Sequence, residues 1–323
     1  MNRELLLLRH GKSRWDTGLR DYERPLKDRG KRSAQRMGNW LLQQDLLPDY
    51  VISSPATRAL ETARKCCKVM GLPAKQIHQD QRIYMGSSED LLAVIQDCPR
   101  EMNRILLVGH NPGMEELLEY LAHGQLEWPE DGKLLPTATL AHLQVSEPWN
   151  EITQDSAELL TIVRPRLLAK SFPWPDENGT EQRDRPAYYY SQSSVIPYRV
   201  IDGKNEVLLV RSSQDKHWVV PKGIVDPGHS PQESAAKEAR EEAGIEGPVD
   251  PVPLGSYEYE KWGSSCTVIV YPMQVTRIIA ESEWEEKHRG RVWVSIEQAA
   301  TQLKQKKLQP MLTTLMNLLT PGE

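Results

Sequence analysis

Residues 223–245 form the stretch that most limits how this chain can fold. Ser230, Pro231 and Glu233 have the spacing of a helix N-cap, a first helical residue and a capping-box acid. Gly244 stands where such a helix ends. The sequence therefore predicts a glycine-bearing loop that leads into a short helix beginning at its serine cap.

This predicted helix carries three glutamates on one face. Glu238, Glu241 and Glu242 lie at i, i+3 and i+4, so their carboxylates reach a common point. Like charges so placed repel, and a hard divalent cation such as Mg²⁺ is a natural partner for clustered oxygen ligands. On the glutamates alone, a solvated acidic face with Lys237 and Arg240 as neighbours is an equal alternative.

The complete pattern resembles the Nudix box: glycine, five residues, glutamate, seven residues, then R-E-U-x-E-E-x-G-U, where U is aliphatic. Two positions depart from it, because His229 replaces the glutamate and Lys237 replaces the arginine. In the family these two residues pair and brace the loop against the helix. We expect Glu233 and Lys237, at i and i+4, to supply part of that brace. The positions in register are Gly223, Glu238, Ala239, Glu241, Glu242, Gly244 and Ile245.

The resemblance implies a metal site. The Gly223 carbonyl with Glu238, Glu241 and Glu242 then holds Mg²⁺, with Mn²⁺ as an alternative, and Glu241 and Glu242 take part in catalysis. The metal polarises a phosphoanhydride while water attacks phosphorus. The general base lies outside the box in many members of the family. Its identity stays open among Glu258, Glu260, Glu283, Glu285 and Glu286.

Length and charge narrow the class of protein. A chain of 323 residues is long enough for two ordinary cores. The net charge is -5, and its lysines and arginines are scattered, so binding to a nucleic-acid polymer is not expected. Small phosphorylated ligands remain suitable partners because they need only a few placed cations.

Cysteine use and the first residues indicate a cytoplasmic protein. The four cysteines have neither metal-ligand spacing nor the density of a disulfide scaffold, which fits a reducing compartment. The apolar run at residues 5–8 is too short for a signal peptide or a membrane span, so no membrane partner is expected. Nothing in the sequence predicts the oligomeric state.

A segment rich in proline and charge divides the chain. Residues 171–187 contain several prolines and little to bury, so they are predicted to be a linker between domains at residues 1–170 and 188–323. In the first domain, strands and helices alternate, which predicts an α/β fold with a parallel sheet covered by helices on both faces. The predicted strands are residues 4–8, 50–53 and 104–108, and the predicted helices are residues 29–44, 55–70, 88–97 and 114–123.

Two histidines follow strands of this predicted sheet directly. His10 comes after residues 4–8 and His110 after residues 104–108. Ligands of parallel sheets bind beyond the carboxyl ends of the strands, so both side chains are delivered to one crevice. A lone histidine is more often structural, but two at matching strand ends indicate a site.

The motifs around these histidines resemble the histidine phosphatase superfamily, in particular its small SixA-like branch, over residues 1–165. The resemblance implies a three-layer fold with a mostly parallel sheet and no metal cofactor. The matching segments are Arg9-His10-Gly11, the run from Ser53 through Arg58 to Ala63, and Val108-Gly109-His110-Asn111.

The chemistry of this family requires these residue types. A neutral His10 attacks phosphorus and carries the phosphoryl group as a covalent intermediate. Arg9 and Arg58 offer forks of donors to phosphoryl oxygens and act in both binding and catalysis. His110 stabilises the developing charge or handles a proton. The substrate class implied is phosphohistidine, on a protein partner, or a small phosphorylated molecule.

The second domain is predicted to be a Nudix α/β/α sandwich with a mixed sheet. Its flanking sequences are similar to diadenosine polyphosphate hydrolases and diphosphoinositol polyphosphate phosphohydrolases, which implies that Arg211 and Lys222 meet substrate phosphates, although each also reads as an ordinary surface cation. Predicted strands are residues 195–201, 206–211, 254–259, 266–275 and 291–294, and predicted helices beyond the box are residues 295–304 and 311–319.

Together these features predict a bifunctional phosphohydrolase. The first domain is expected to act through a phosphohistidine intermediate, and the second to hydrolyse a nucleoside polyphosphate or a diphosphoinositol polyphosphate with Mg²⁺. The alternative is an active phosphatase whose Nudix domain has lost catalysis with the changes at His229 and Lys237 and serves as a nucleotide or polyphosphate sensor.

Overall fold

The computed structural model describes residues 3–16, 18–130, 132–175 and 181–320. The chain forms two compact units, Met1–Phe172 and Pro173–Glu323. None of the helices in the described ranges is long and apolar enough to cross a membrane.

The first unit is built on a six-stranded sheet. Its strands are β1 (Arg3–Arg9), β2 (Tyr50–Ser53), β3 (Ile77–Gln79), β4 (Arg104–Gly109), β5 (Leu140–Val145) and β6 (Ala157–Val163). They lie in the order β3-β2-β4-β1-β5-β6. The first four in that order are mutually parallel, while β5 and β6 are antiparallel to their neighbours.

Helices cover both faces of this sheet. Leu5 and Leu7 of β1 belong to one core, and Leu6 and Leu8 belong to the core on the opposite face. A strand that is buried on both faces has a continuous apolar sequence, which is why the run of leucines at residues 5–8 predicted this strand. The three-layer prediction is confirmed. The helices are α1 (Asp28–Gln43) and α2 (Thr57–Val69) on one face, and α3 (Ser88–Gln96) and α4 (Gly113–Ala122) on the other.

Strands β3, β5 and β6 were not predicted. Strand β3 has only three residues, too few for a pattern. In β5, His142 interrupts the apolar run, and its Nε2 lies 3.1 Å from Oε1 of Glu4 on β1. Such a polar contact between strands is invisible in the local sequence, so the prediction missed this antiparallel side of the sheet.

The second unit contains a seven-stranded mixed sheet. Strand β9 is its centre, parallel to β15 and antiparallel to β10 and β12. The order is β11-β10-β9-β15-β14, with β12 pairing with β9 and β17 with β10. The strands from residue 172 onward are β7 (Phe172–Pro173), β8 (Gln182–Arg183), β9 (Ser191–Ile201), β10 (Lys204–Arg211), β11 (Trp218–Val219), β12 (Lys222–Ile224), β13 (Ile245–Glu246), β14 (Gly255–Lys261), β15 (Ser264–Gln274), β16 (Arg277–Ile278) and β17 (Arg291–Ser295).

Helices pack on opposite faces of this sheet. Helix α5 (Pro231–Ala243) buries its alanines against one face, whereas α6 (Ile296–Gln302) and α7 (Gln309–Leu319) pack on the other. The α/β/α sandwich with a mixed sheet is therefore confirmed. Helix α5 also begins and ends as predicted, since Ser230 and Glu233 form the capping box and Gly244 adopts φ +60°.

Part of the predicted linker packs on the second unit. The Arg183 guanidinium lies 3.4 Å from the centre of the Trp174 ring and 4.8 Å from that of Tyr190. Cation–π contacts of this kind stabilise a chain segment that has few aliphatic side chains. Residues 176–180 of the predicted linker lie outside the described ranges.

Candidate active sites

Strand pairing brings the two predicted histidines of the first unit together. Arg9 of β1 is in parallel register with Gly109 of β4, so the next residues, His10 and His110, leave the sheet side by side. The His10 N–H donates to the Gly109 carbonyl at 3.0 Å. The centres of the two imidazole rings are 4.9 Å apart. The carboxyl edge of the sheet thus forms the crevice that the sequence predicted.

Hydrogen bonds fix the tautomer of His10. Its Nδ1 lies 2.8 Å from the Gly11 carbonyl, which only accepts, so Nδ1 carries the proton. Its Nε2 then holds a lone pair and accepts a hydrogen bond from Nε of Arg58 at 3.3 Å. The imidazole is therefore oriented with an unprotonated nitrogen toward the guanidinium.

Both histidines are buried and have lowered pKa values. Burial, with a smaller contribution from Arg58 and Arg9, lowers the pKa of His10 to about 4. Burial, with smaller contributions from the neighbouring His10 and Arg58, lowers the pKa of His110 to about 3. Both rings are consequently neutral at pH 7. A neutral imidazole is the form that can attack an electrophile.

Guanidinium groups surround these rings. Arg9 reaches the Leu135 carbonyl through Nη1 at 2.7 Å, and Arg58 bonds to Asp21 through Nη1 and Nη2 at 2.6 and 2.9 Å. Asp21 also pairs with Arg24 at 2.6 Å. Among the described residues, Nε and Nη1 of Arg24, Nε of Arg9 and Nδ1 of His110 are buried without a hydrogen-bond partner. Buried donors left unpaired are costly, so an anion with several acceptor oxygens suits this crevice.

Sequence reasoning missed Asp21, Arg24 and Trp15. Arg24 is buried and lies 3.5 Å beneath the centre of the Trp15 ring, which is itself 72% exposed. The segment that carries them has no periodic pattern, and the sequence offered no signal beyond the presence of a cation. The cleft has a volume of about 240 Å³ and is lined by Arg9, His10, Lys12, Ser13, Trp15, Arg24, Arg58, His110, Asn111 and Thr137.

Asp90 and Glu89 have a structural role at the start of α3. Asp90 accepts from the Ser87 N–H at 2.9 Å in a capping box at the start of α3. Glu89 is exposed in the same first turn. Acids at this place stabilise the helix dipole and the helix cap.

In the second unit, Gly223 and Glu238 are in direct contact. A Cβ atom on Gly223 would stand 1.9 Å from Oε1 of Glu238, so no other residue fits at that position without displacing the carboxylate. Gly223 lies in β12 and pairs with Ser193 of β9. The box loop and the box helix thus contact each other at Gly223 and Glu238.

The three glutamates of α5 share a partly buried, negatively charged face. Burial and the neighbouring Glu242 and Glu241 raise the pKa of Glu238 to about 7. Burial also raises the pKa of Glu241 and of Glu242. Carboxylates in such surroundings have the oxygen chemistry that a hard cation requires. Within the ranges that the structure covers, however, no three acidic, histidine or cysteine side chains converge closely enough to hold a metal as they stand.

Protein donors already occupy both oxygens of Glu242. Its Oε1 accepts from Nη2 of Arg289 at 2.7 Å, and its Oε2 accepts from the Lys222 N–H at 3.1 Å. The side chain of Arg289 is only 9% exposed, and its Nε bonds to Glu286 at 2.5 Å. Arg289 was not predicted, because it lies 47 residues from Glu242 in a segment without a regular pattern.

The two cations predicted to bind phosphate lie in different surroundings. Lys222 donates from Nζ to Tyr259 and Gln192, each at 2.7 Å, and burial lowers the pKa of its amine to about 8. Arg211 stacks 4.1 Å from the centre of the Trp218 ring and pairs with Asp215 at 3.5 Å. Lys222, but not Arg211, lines a cleft of about 330 Å³, whose other lining residues are Trp218, Val220, Tyr257, Tyr259, His217, Val219, Leu303, Lys304, Gln305 and Leu308.

The brace between loop and helix involves a residue that was not predicted. Lys237 pairs with Asp226 of the loop at 3.0 Å and lies 3.8 Å from Glu241, whereas Glu233 serves the capping box. Asp226 is thus a loop residue that braces the helix through Lys237. His229 is exposed. A lysine at position 237 therefore still ties the loop to the helix.

The two sites define the chain as a phosphohydrolase with two domains of different families. Residues 5–119 match the histidine phosphatase superfamily (branch 1), and residues 191–315 match the NUDIX domain. The chain belongs to both families, each of which consists of phosphohydrolases.

Two relatives support the assignment of the second domain. The chain is 35% identical over 126 residues to diphosphoinositol polyphosphate phosphohydrolase 3-beta of Bos taurus, which covers 38% of this chain and 73% of the relative. It is 30% identical over 111 residues to the asymmetrical bis(5'-nucleosyl)-tetraphosphatase of Sus scrofa, covering 33% and 76%. The solved structure of the putative phosphohistidine phosphatase SixA from Nakamurella multipartitia is 27% identical in sequence; the match covers 51% of this chain and 97% of that chain, with a TM-score of 0.43.

Proposed function

We propose that the chain is a bifunctional phosphohydrolase whose N-terminal domain removes a phosphoryl group through a phosphohistidine intermediate on His10. Its substrate is phosphohistidine on a protein partner or a small phosphorylated molecule. The observation that carries this proposal is the state of His10, whose proton is held at Nδ1 by the Gly11 carbonyl while Nε2 is unprotonated and faces Arg58.

The surrounding groups support each step of the reaction. Nε2 of His10 forms a bond to phosphorus while the bond to the leaving group breaks, and Arg9 and Arg58 stabilise the charge on the phosphoryl oxygens. Water then cleaves the phosphorus–nitrogen bond and regenerates His10. To His110, which is neutral and has its ring centre 4.9 Å from that of His10, we assign the handling of the proton of that water. No metal is needed for these steps.

The leaving group should require little protonation. Asp90 is engaged in a helix cap and Glu89 is exposed in the same turn, so neither is set up as a general acid in the cleft. The imidazole of phosphohistidine leaves as a neutral group when its second ring nitrogen already carries a proton, so no further acid is needed. This arrangement favours phosphohistidine over a phosphate ester of an alcohol.

The C-terminal domain hydrolyses a phosphoanhydride with Mg²⁺, for which Mn²⁺ is an alternative. The Gly223 carbonyl with Glu238, Glu241 and Glu242 would hold the ion. Burial, together with the neighbouring Glu242 and Glu241, raises the pKa of Glu238, and a cation would relieve this crowding of carboxylates. When bound, the ion polarises the phosphoanhydride. Lys222 and Arg211 are the cations that we assign to the substrate phosphates.

Its substrate is a nucleoside polyphosphate such as a diadenosine polyphosphate, or a diphosphoinositol polyphosphate, the two ligand classes in the names of the mammalian relatives. The cleft beside Lys222 supports the nucleoside. Trp218, Tyr257 and Tyr259 give it aromatic walls suited to a base, and Lys222 also lines it.

A second candidate function is a polyphosphate sensor without turnover. The ion pair between Glu242 and Arg289 favours it, because a glutamate held by arginine is withdrawn from catalysis. The sensor binds the ligand but does not hydrolyse it.

Hydrolysis of diadenosine tetraphosphate with Mg²⁺ by the wild type and by Glu242→Gln tests the Nudix proposal. We expect turnover by the wild type that is lost in the variant. Binding without turnover by either protein would instead favour the sensor, and turnover of only a diphosphoinositol polyphosphate would select the other substrate class.

The variant His10→Ala tests the phosphatase proposal. We expect loss of phosphatase activity on a phosphohistidine substrate with the Nudix reaction unchanged. Loss of both activities in a folded protein would contradict independent sites.

We also propose that the protein works in the cytoplasm, consistent with its four buried, free thiols.

A further inference from the structure

The loop that follows β16 is fixed to the last turn of the box helix. The Glu286 N–H and the indole Nε1 of Trp284 both donate to the Glu241 carbonyl, at 3.3 and 3.1 Å. Helix-end carbonyls lack partners within the helix, so these bonds satisfy one of them and anchor the loop. This anchoring carries Arg289 to the face of α5 on which Glu242 lies.

Arg289 is held by three acceptors at once. Its Nη2 bonds to Glu242 at 2.7 Å and its Nε to Glu286 at 2.5 Å, while Nη1 lies 3.4 Å from the Arg211 carbonyl. The exposed fractions of the Arg289 and Glu242 side chains are 9% and 12%, whereas that of Glu286 is 36%. The bond to Glu242 is therefore the more shielded of the two ion pairs.

We propose that Arg289 is an internal counterion that occupies Glu242 until a divalent cation displaces it, and that it thereby sets the affinity of the Nudix site for metal. This inference rests on the proposed function of the Nudix domain, because Glu242 is there a metal ligand. Arg289 is a positioning residue that acts through Glu242.

The physical basis is competition for one carboxylate. With Oε1 on Arg289 and Oε2 on the Lys222 N–H, both oxygens of Glu242 are satisfied. A metal ion must break the shielded ion pair to take Oε1, and a broken buried pair is costly. Removing Arg289 leaves Glu242 with a buried, uncompensated charge, which a metal ion then neutralises. The substitution therefore destabilises the metal-free state more than the metal-bound state, so the affinity for the metal ion rises.

Glu286 has the opposite effect. It offers Arg289 a second carboxylate, to which the guanidinium can remain bound when it leaves Glu242. Removing the charge of Glu286 takes away this second carboxylate, so the ion pair between Arg289 and Glu242 is harder to break. The affinity for metal therefore decreases. The two substitutions therefore change metal affinity in opposite directions, although both remove one member of the same network.

The test is Mn²⁺ binding to the full-length protein without substrate, measured by electron paramagnetic resonance of the free ion. We expect Arg289→Gln to bind Mn²⁺ more tightly than the wild type by on the order of tenfold, a usual size for coupling between ligands. Glu286→Gln should bind it more weakly. In the double variant the effect of Glu286→Gln should vanish, because it acts through Arg289.

Matched controls separate this inference from the proposed function. Arg240→Gln removes an exposed arginine of helix α5 that pairs with Glu246. This variant should leave the affinity for Mn²⁺ unchanged. Glu238→Gln identifies the binding that belongs to the box. If Mn²⁺ binding depends on Glu238 but Arg289→Gln does not make it tighter, the proposed role of Arg289 is wrong, while the proposed metal site still stands. The absence of Glu238-dependent binding in every protein overturns the proposed metal site and this inference with it.

Discussion

Arg58 donates a hydrogen bond from Nε to Nε2 of His10 across 3.3 Å, so the guanidinium contacts the nitrogen that we propose attacks phosphorus. Its two other nitrogens bond to Asp21. Arg58 therefore has a fixed orientation before any substrate arrives. This pre-organisation is the kind that lowers the barrier for transfer of a charged group.

Replacing Arg58 by lysine should separate charge from geometry. The variant keeps the positive charge but loses the planar fork, so we expect kcat/KM of the phosphatase to fall by roughly 10²- to 10³-fold. Arg64→Lys, an exposed position on the same helix, is the control and should have no effect. A fall of less than about threefold in Arg58→Lys would show that charge alone suffices.

Asp21 holds two arginines in place and also competes with the substrate for them. It bonds to Arg58 at 2.9 Å, to Arg24 at 2.6 Å and to the Tyr84 hydroxyl at 3.0 Å. We expect Asp21→Asn to bind inorganic phosphate more tightly, because a competing anion is removed. The same variant should have a kcat about tenfold lower, because Arg58 loses its orientation. A kcat and an inhibition constant that both stay at wild-type values would contradict this role.

The acidity of His10 sets the pH dependence of the phosphatase. Because the pKa of His10 is lowered to about 4, the ring stays neutral at neutral pH and becomes protonated only in acid. We expect kcat/KM to be flat from pH 7.5 to about 5.5 and to fall below that, with no inflection near the ordinary histidine pKa of about 6.5. An inflection near 6.5 that belongs to the enzyme rather than the substrate would contradict the proposed state of His10.

The same pKa shift affects folding with a definite sign. Between pH 6.5 and about 4 the unfolded chain binds a proton at His10 and the folded chain does not. Acid therefore favours unfolding, and the contribution of His10 to the free energy of unfolding decreases as the pH falls through this window. Unfolding in urea at pH 7 and pH 5 should show a smaller pH effect in His10→Gln than in the wild type.

Gly223→Ala tests the contact between the box loop and the box helix. A Cβ atom would stand 1.9 Å from Oε1 of Glu238, so the carboxylate must move. We expect loss of Nudix activity and a decrease of roughly 1–3 kcal/mol in the free energy of unfolding of this domain. Gly124→Ala, where a Cβ meets nothing within 4 Å, is the control. Unchanged Nudix activity in Gly223→Ala would show that the position of Glu238 is not critical.

The sequence predicted those parts of the two sites that follow from regular structure. His10 and His110 were predicted because each follows an apolar strand, and the glutamates of α5 were predicted because helical spacing and a capping box placed them on one face. Both patterns repeat with the period of a strand or helix, so a local reading is sufficient.

The residues that were missed reach their sites through loops. Arg24 and Trp15 lie in an irregular segment after β1, and Arg289 comes from a loop 47 residues beyond Glu242. Only the three-dimensional structure reveals these residues, through the burial of the side chains and their contacts with residues distant in sequence. The same reason explains the brace, because Asp226 pairs with Lys237 from a turn whose path no periodic pattern predicts.

The register of β1 against β4 has a consequence for how tolerant the phosphatase site is to change. The ring centres of His10 and His110 are 4.9 Å apart, close to the 4.7–4.9 Å or so that separates any two neighbouring strands. The hydrogen-bonded pairing of β1 with β4 thus sets the distance between the two imidazole rings. Insertions in the connections between β1 and β4 can lengthen the chain without altering that gap, whereas a slip of one residue in the ladder would separate the pair.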